Sequence, residues 1–542
     1  MSSDRGFNLI SEPWIEVLTL DGTSDLVSLG TLFARAHELR EITGDLPTQS
    51  FAILRICLAI VYRAVKGPET VDDWHELASS TTAPVDRIRA YLDRHCERFE
   101  LFHERAPFFQ VADLHTAKGE FSALTKLIAD APVGHPYFSV RIGHGLERLT
   151  AAEAARWLVH LQAYDISGIK SGAVGDARVK GGKGYPIGTG WAGAIGGIAV
   201  EGENLWRTIL LNLIPHDRPA LVTSSDRDRP AWEAPPSTAS EAEDAPSRPY
   251  GPLDLFTWQS RRVRLIGGRD GVTAVLVANG DKITPQNRHR SEPMTAWRRS
   301  PPQQKALKQT LVYMPRQHDP SRALWRGLAQ LLPCAGPRGK ADDGEDYLTA
   351  GVLEWAAEAG GSRSQIKVRA TGMIYGTQNA IVEDVFDDRL GLSTALLAQE
   401  GAHLPSTVVT VIESTEAGVR ALRDLAANLV RAAGGDDQLV DGARTQASAR
   451  AYTELDGPIR QWIGELSEET DTDEARFHWH DRARSILGRI GTELVEDAGP
   501  AAWIGREVRG RRITSPEAAA WFSRSLLNLL PRKPHQPEED AA

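Results

Sequence analysis

The chain has 542 residues, with 62 Lys and Arg against 72 Asp and Glu, so its formal net charge is −10 at pH 7. This length predicts two to four domains, and this charge excludes a protein that attracts nucleic acid through an overall positive field. Three cysteines are too few for a disulfide framework or a four-cysteine zinc site, which favours the reducing cytoplasm. The longest apolar run, 51–65, contains two arginines and is short for a bilayer span, so no membrane segment is expected.

The first 215 residues mix short strands with helices. Alternating apolar residues within 8–30 predict strands, with a turn at Asp21-Gly22. Apolar periodicity also predicts a buried helix at 49–66, an exposed helical pair at 71–95 and a short helix at 151–161. Residues 131–146 contain too much Gly and Pro for a regular element and are predicted to form a long loop.

A glycine-rich segment follows the helix at 151–161. Eleven of the 31 residues from 167 to 197 are glycine, a density that costs backbone entropy unless close approach or positive φ is needed. The segment carries four cations against the single acid Asp176, and those cations are Lys170, Arg178, Lys180 and Lys183. This composition suits backbone contact with a polyanion, although a mobile surface loop would have the same composition.

Gly188-Thr-Gly190-Trp-Ala-Gly193 matches the literal dinucleotide-binding pattern. A Lys-Gly-Gly-Lys-Gly-Tyr-Pro run precedes it, where that fold requires an apolar strand. The pairs His318-Asp319 and His480-Asp481 lack further metal ligands at helical spacing. A nucleotide-dependent enzyme that uses the glycine-rich segment therefore remains only an alternative, and no cofactor or metal is predicted.

The middle of the chain contains two contrasting segments. Residues 224–250 are rich in Pro, Ser, Ala and acids, which predicts a flexible, weakly ordered surface insertion. Residues 255–310 hold eleven basic and three acidic residues, a net +8. Strands are predicted at 261–265 and 272–277, with a hairpin turn at Asn279-Gly280. The basic block is either a nucleic-acid patch or a solvated face that balances acids elsewhere.

From about residue 390 the pattern becomes helical, with segments near 391–400 running into 414–433, and at 443–467, 472–497 and 515–531. Within 414–433 one apolar stripe is formed by Val419, Leu422, Leu425, Leu429 and Val430. The predicted fold class is α+β, in which a large mixed N-terminal domain, 1–390, precedes a C-terminal four-helix bundle, 391–542.

Five short motifs, taken together and in order, resemble the large subunit of the type I-E CRISPR surveillance complex (Cascade), the CasA family. The chain opens with Phe7-Asn8-Leu9-Ile10-Ser11-Glu12-Pro13-Trp14-Ile15, which resembles the start of that family. The other four motifs are Ala106-Pro107-Phe108-Phe109-Gln110, Gly168-Ile169-Lys170-Ser171-Gly172, Thr208-Ile209-Leu210-Leu211-Asn212 and Gln378-Asn379-Ala380-Ile381-Val382-Glu383.

The resemblance implies a subunit that is not an enzyme. It implies recognition of a protospacer-adjacent motif (PAM) in double-stranded DNA from the minor groove, followed by local strand separation that starts R-loop formation. The implied partners are target DNA, crRNA, the backbone, 5′-handle-binding and small subunits of the complex, and a helicase-nuclease. The remaining alternative is a protein-binding scaffold without direct DNA recognition.

The resemblance also implies where DNA and RNA would be contacted. The glycine loop maps to 165–172, with Ser167, Gly168, Lys170, Ser171 and Gly172 as DNA-binding residues. Several consecutive glycines of the family pattern are absent before Gly168, and the glycines at 181–184 could substitute for them. The lysine finger maps to Lys282, with Arg288 or Arg290 as alternatives. The glutamine wedge maps to Thr377, Gln378 and Asn379, and a one-residue shift would place Asn379 at its tip. A loop at 131–146 would anchor crRNA and neighbouring subunits through Tyr137 or Phe138, and Arg141.

Overall fold

A computed structural model of the protein describes residues 6–131, 143–332, 347–361, 365–397, 403–508 and 510–533. Contacts between Cα atoms divide the chain into two compact units. The first unit comprises Met1–Arg322, Pro337–Ala359 and Ile366–Arg389, and the second comprises Ala323–Gly336, Gly360–Gln365 and Leu390–Ala542. Of the described residues that were predicted to belong to the N-terminal domain, 323–332, 360–361, 365 and 390 therefore cluster with the C-terminal unit.

The expected α+β fold class is confirmed by the mixture of helices and antiparallel strands in the part of the chain before residue 394. The helices are α1 (Leu29–Ala34), α2 (Pro47–Val65), α3 (Val71–Ser79), α4 (Val85–Arg94), α5 (Ala151–Tyr164), α6 (Leu205–Leu211), α7 (Pro252–Phe256), α8 (Pro301–Leu307) and α9 (Gly351–Gly360). The strands are β1 (Ile15–Thr19), β2 (Ser24–Val27), β3 (Leu39–Ile42), β4 (Lys170–Ser171), β5 (Lys183–Gly184), β6 (Gly197–Glu201), β7 (Arg261–Gly268), β8 (Gly271–Asn279), β9 (Trp297–Arg299), β10 (Tyr313–Pro315), β11 (Tyr347–Leu348), β12 (Gln365–Tyr375) and β13 (Val382–Ser393).

These strands form several small sheets rather than one large one. Three-stranded sheets have the orders β2-β1-β3, β10-β9-β11 and β13-β12-β6, and β4-β5 and β7-β8 are two-stranded. Small sheets leave many loops at their ends, which suits a protein that presents loops to a partner.

The core of the first unit is organised around α2, which is buried on every side from Thr48 to Tyr62. It begins with Pro47 in the first turn, where a missing N–H costs no hydrogen bond. Among the described residues, α2 is the one helix long and apolar enough to cross a membrane, but 83% of its most apolar window is buried inside the protein. Arg55, 2% exposed, is paired with Glu292 at 2.7 Å, so the charge in this helix is satisfied internally.

The prediction that 224–250 form a flexible, weakly ordered surface insertion is contradicted by the packing of this segment. It lacks long elements, as its composition predicts, but Trp232 is 2% exposed and packs against Phe99 and Phe108. The Asp228 carboxylate is also buried, and it accepts hydrogen bonds from the backbone N–H groups of Leu253 and Asp254 at 3.2 and 2.9 Å. One tryptophan and one carboxylate thus fix a segment whose overall composition indicated disorder.

The predicted strands of the basic block are confirmed as the β7-β8 hairpin, but the predicted turn at Asn279-Gly280 is wrong. The hairpin turns at 268–271, and Asn279 is the last residue of β8, opposite Arg261. Gly280 instead packs so closely on the backbone of 259–261 that a Cβ there would overlap it. Asn-Gly is a turn signal only where the following strand pairs back, and here the chain leaves the hairpin.

The basic block is a solvated face only in part. Arg261 and Arg262 are each 2% exposed and pair with Asp165 and Asp281, respectively, both at 2.5 Å. Arg269 at the hairpin turn pairs with Glu12 at 2.8 Å. Arg261 and Arg269 are therefore neutralised by acids outside the block, and Arg262 is neutralised by an acid within it.

The second unit is helical, as predicted. Its helices are α10 (His403–Ala433), α11 (Asp437–Glu465), α12 (Thr472–Asp497), α13 (Gly499–Ile504) and α14 (Ser515–Leu529), with a small hairpin of β14 (Arg506–Val508) and β15 (Arg511–Ile513). α10 packs against α11, α12 and α14, consistent with a helical bundle. Of the stripe predicted within 414–433, Val419, Leu422, Leu425 and Leu429 are buried and Val430 is partly buried.

Candidate nucleic-acid interface

The glycine-rich segment starts where α5 ends. A capping box between Thr150 and Glu153 fixes the start of α5, and the helix ends at Tyr164. Asp165 then turns its carboxylate inward, where it lies 2.5 Å from Arg261 and 2.6 Å from the Lys170 ammonium. Burial alone would raise the pKa of the Asp165 carboxyl, but the two cations outweigh burial and hold this pKa below its ordinary value.

Arg261 connects both ends of the glycine-rich segment. Besides its bond to Asp165, its guanidinium donates to the carbonyls of Ile166 at 3.0 Å and Gly188 at 2.7 Å. Its planar fork of donors suits this task, because several acceptors in fixed directions can be satisfied at once. The chain between 166 and 188 is therefore a loop closed by one buried side chain.

Lys170 was expected to contact DNA, but its ammonium forms an ion pair inside the protein. Its side chain is 10% exposed and its ammonium lies on Asp165. Burial lowers the pKa of the Lys170 ammonium, and the attraction of Asp165 offsets only part of that effect. The side chain thus stabilises the glycine loop, while the backbone of Lys170 and Ser171 pairs with Gly184 and Lys183 in the β4-β5 ribbon.

Two features of this ribbon require glycine. Gly181 and Gly182 have φ of +58° and +72° in a two-residue turn, across which Lys180 and Lys183 exchange backbone hydrogen bonds of 3.0 and 3.2 Å. Gly172 donates its N–H to the carbonyl of Gly182, and a Cβ on Gly172 would lie 2.5 Å from the Gly182 carbonyl carbon. The glycines thus allow the two chain segments to approach closely.

The predicted wedge lies in the loop between β12 and β13. Thr377, Gln378 and Asn379 are all exposed, and the last two have positive φ of +58° and +55°. Gly376 closes the loop by donating to the carbonyl of Ile381 at 3.0 Å. Left-handed backbone at two consecutive non-glycine residues is unusual and holds the two amide side chains at the tip of the loop.

The structure brings the wedge and the glycine loop together. The N–H of Ser167 donates to the carbonyl of Asn379 at 2.8 Å. Below this contact, the Tyr375 hydroxyl at the end of β12 donates to the carbonyl of Tyr164 at the end of α5, at 2.6 Å. Two loops about 210 residues apart in sequence are therefore joined at their tips and at their bases.

The predicted lysine finger borders the same segment. Asn279, which ends β8, donates its side-chain N–H to the carbonyl of Tyr185 at 2.6 Å. Three residues later Lys282 is exposed, and its backbone N–H donates to Glu241 at 2.8 Å. Of the two alternatives, Arg288 is half-buried, and burial lowers the pKa of its guanidinium, whereas Arg290 is exposed. Lys282 and Arg290 are thus exposed to solvent, whereas Arg288 is only partly exposed.

The anchoring residues Tyr137, Phe138 and Arg141 lie outside the described residues. The alternative use of the glycines for nucleotide binding finds no support in the geometry. Gly190 packs against the backbone of Ala163 at the end of α5, and Gly193 packs against the ring of Tyr375. A short 3-10 helix, Trp191–Ala194, stands where a dinucleotide fold would begin a long helix.

No group of three or more potential metal ligands occurs among the described residues. His318 stacks on Phe386 and His480 lies 3.2 Å from the Ser414 hydroxyl, so both histidines have packing roles. Sequence reasoning missed Asp165 and Arg261 as organisers of the site. The available signal was that Asp165 stands where the family resemblance implies a glycine, and that three arginines, at 261, 262 and 264, lie in a strand whose other residues are apolar or glycine.

Comparisons with known proteins identify close relatives of this architecture. A family model described as CRISPR-associated protein Cse1 matches residues 8–490. CRISPR-associated protein CasA/Cse1 of Thermus thermophilus is 29% identical over 494 residues, which are 87% of this chain and 90% of that protein. The crystal structure of Thermobifida fusca Cse1 is 44% identical, with a TM-score of 0.88 and coverage of 97% and 98% of the two chains. A chain of a CRISPR RNA-guided surveillance complex, 18% identical with a TM-score of 0.69, shares the fold over 96% of this chain and 100% of that one.

Proposed function

This chain belongs to the Cse1 family, the large subunits of the type I-E Cascade surveillance complex, and on that premise we propose that it reads the PAM in double-stranded DNA and starts strand separation. In this role it contacts the minor groove through 167–172, Lys282 and 377–379. It acts by binding and deforming DNA, without catalysing a reaction.

The observation that supports this proposal most is the adjacency of three loops that the sequence separates widely. Ser167 is hydrogen-bonded to Asn379, and Asn279, three residues before Lys282, is hydrogen-bonded to Tyr185. Reading and opening a duplex would require three kinds of group at one place. These are the thin backbone of the glycine loop, the cation of Lys282 and the planar amides of the wedge.

The physical properties of the loops suit a minor groove. That groove is about 6 Å wide and admits backbone or slim side chains rather than helices. Gly168 has open space where a Cβ would lie, so the loop tip there is as thin as a polypeptide can be. Since minor-groove chemistry mainly separates A·T from G·C pairs, we expect a permissive PAM.

Gln378 and Asn379 are the proposed wedge. Inserting a side chain between base pairs costs on the order of a few kcal/mol of stacking for each step. Phosphate contacts offset part of that cost first, and pairing of the guide with the separated strand then offsets the rest. An amide donates and accepts hydrogen bonds, so it can replace some of the interactions of a displaced base.

The proposed partners are target DNA, crRNA, the backbone, 5′-handle-binding and small subunits of the complex, and a helicase-nuclease. A net charge of −10 and internally neutralised arginines disfavour tight duplex binding by the isolated chain. We therefore expect PAM reading only within the assembled complex.

The test is an electrophoretic mobility shift of duplexes that differ only beside the target, using the crRNA complex with and without this protein. Binding that needs both this subunit and a particular flanking sequence supports PAM reading. Equal binding in its absence contradicts the proposal and favours a scaffold role.

A further inference from the structure

The chain that joins β4 to β5 contains a two-residue turn, Gly181-Gly182, flanked by two lysines that face each other in sequence register. Lys180 and Lys183 are paired across the Gly181-Gly182 turn by backbone hydrogen bonds of 3.0 and 3.2 Å. Both residues are exposed. Directly opposed residues in an antiparallel pair have Cβ atoms about 4.5–5.5 Å apart, and like charges at such positions repel. The pair therefore concentrates positive charge at the tip of a thin hairpin.

The same ribbon exposes two large apolar side chains at its other end. β4 and β5 pair Lys170 with Gly184, so the next register position places Ile169 opposite Tyr185. Ile169 is 57% exposed and Tyr185 is 54% exposed. The backbone under this pair is fixed, because the carbonyl of Tyr185 accepts from Asn279 and the adjacent Lys170 side chain is tied to Asp165.

We propose that this ribbon is a further DNA-contacting finger, in which Lys180 and Lys183 bind backbone phosphates while Ile169 and Tyr185 pack against the sugars of the same duplex. This inference rests on the proposed function, since the ribbon adjoins the Asn379 and Lys282 loops. It adds Lys180, Lys183 and Tyr185, to which that function assigned no contact, and it gives Ile169, within 167–172, a defined role.

The pattern of charge and apolar surface favours nucleic acid over a protein partner. A phosphate chain presents repeating negative charges beside apolar sugar faces, which matches two cations and an apolar pair on one narrow ribbon. Ordered backbone at both ends of the ribbon means that binding need not first order the contact residues, and this reduces the entropic cost of binding.

The two halves of the finger predict different salt behaviour. For Lys180→Ala/Lys183→Ala in the assembled complex, the slope of log affinity against log salt becomes shallower by about two, close to 0.9 for each lost phosphate contact. For Ile169→Ser/Tyr185→Ser, duplex affinity falls about ten-fold while the slope stays that of the wild type, because an apolar contact releases no counterions. Both variants leave the turn glycines and the buried Arg261 network in place.

The matched control is Arg87→Ala/Arg89→Ala on α4, which removes two exposed cations from the same unit. We expect it to leave the slope unchanged. A wild-type slope for the lysine variant, or wild-type affinity for the apolar variant, overturns the proposal. Loss of the subunit from the complex in either variant also overturns it and indicates a protein contact instead. The wild-type complex is first tested for discrimination between flanking sequences. If the wild-type complex does not discriminate, the PAM proposal fails, and that result is separate from the behaviour of the two variants.

Discussion

The backbone N–H of Ser167 donates a 2.8 Å hydrogen bond to the carbonyl of Asn379. This bond joins the loop after α5 to the loop between β12 and β13 through main-chain atoms alone, so it does not depend on the side chains at either position. The consequence is that side-chain substitutions in the two loops can test recognition without removing the contact that aligns them.

The wedge can be tested with glycine rather than alanine. Because Gln378 and Asn379 have positive φ, a conformation that costs a residue with a Cβ about 1 kcal/mol relative to glycine, glycine removes both amides without straining the loop. We expect Gln378→Gly/Asn379→Gly to slow strand opening, followed by 2-aminopurine fluorescence beside the PAM, more than it weakens initial duplex capture.

Thr377→Ser is the control for the wedge, since it changes a residue of the same exposed loop and keeps both amides. Strand opening at the wild-type rate by the double glycine variant would contradict the wedge assignment.

Lys282→Ala should weaken duplex binding by the complex and make the salt dependence shallower by about one unit in log–log slope. The reason is the loss of one phosphate contact from an exposed side chain. Lys305→Ala, an exposed lysine on α8, serves as the control. An unchanged slope would move the finger to Arg290, the other exposed candidate.

Arg261→Ala should release the glycine-rich segment. It leaves a buried Asp165 with one cation fewer and two carbonyls without their donor, and breaking a buried pair typically costs about 3–5 kcal/mol. We expect faster hydrogen–deuterium exchange across 166–188 and a lower unfolding midpoint. Arg261→Lys should restore little, because one ammonium cannot replace a fork that reaches Asp165, Ile166 and Gly188.

The comparison for Arg261 is Arg326→Ala, which removes a partly buried ion pair with Glu416 in the second unit. That variant should leave exchange across 166–188 unchanged. Protection of the segment at the wild-type level in Arg261→Ala would show that the guanidinium does not hold it.

Stability should fall as the pH rises through neutrality because of Asp228. Burial raises the pKa of the Asp228 carboxyl to about 7, although two backbone N–H donors oppose this effect. The folded state then binds the proton more tightly than the unfolded state, so the stabilisation is complete below about pH 4 and is lost as the pH rises through about 7.

Asp228→Asn, which cannot ionise, should remove this part of the pH dependence. Relative to the wild type, the free energy of unfolding of the variant should increase between pH 5 and pH 8 by up to about 3 kcal/mol. Urea denaturation at both pH values measures the difference, and parallel pH profiles for the two proteins would show that Asp228 is ionised throughout.

Local sequence patterns were sufficient for elements whose partners are near in sequence or whose apolar faces are periodic. α2, α5, the β7-β8 strands and the C-terminal helices follow from apolar spacing, since burial of those faces dominates their stability. The prediction of a turn at Asn279-Gly280 was wrong because the same dipeptide also suits the end of a strand where two backbone segments approach closely.

The electrostatic arrangement could not be read from local patterns. Arg261 meets Asp165 from 96 positions away, and no local pattern distinguishes a cation that faces solvent from one that finds such a distant acid. The family resemblance located the loops but not which of their charges are used internally, and for that reason the burial of Lys170 was missed.

Arg261 holds the two ends of the glycine-rich segment together. The ends at Ile166 and Gly188 are held by a residue of a different element, and between them Ala173 packs in a core cluster with Val111, Leu114 and Leu276. A segment grafted from a relative must therefore keep both ends and a small side chain at position 173, whereas the exposed Gly181-Gly182 turn, which has open space around both Cβ positions, can change without altering this core.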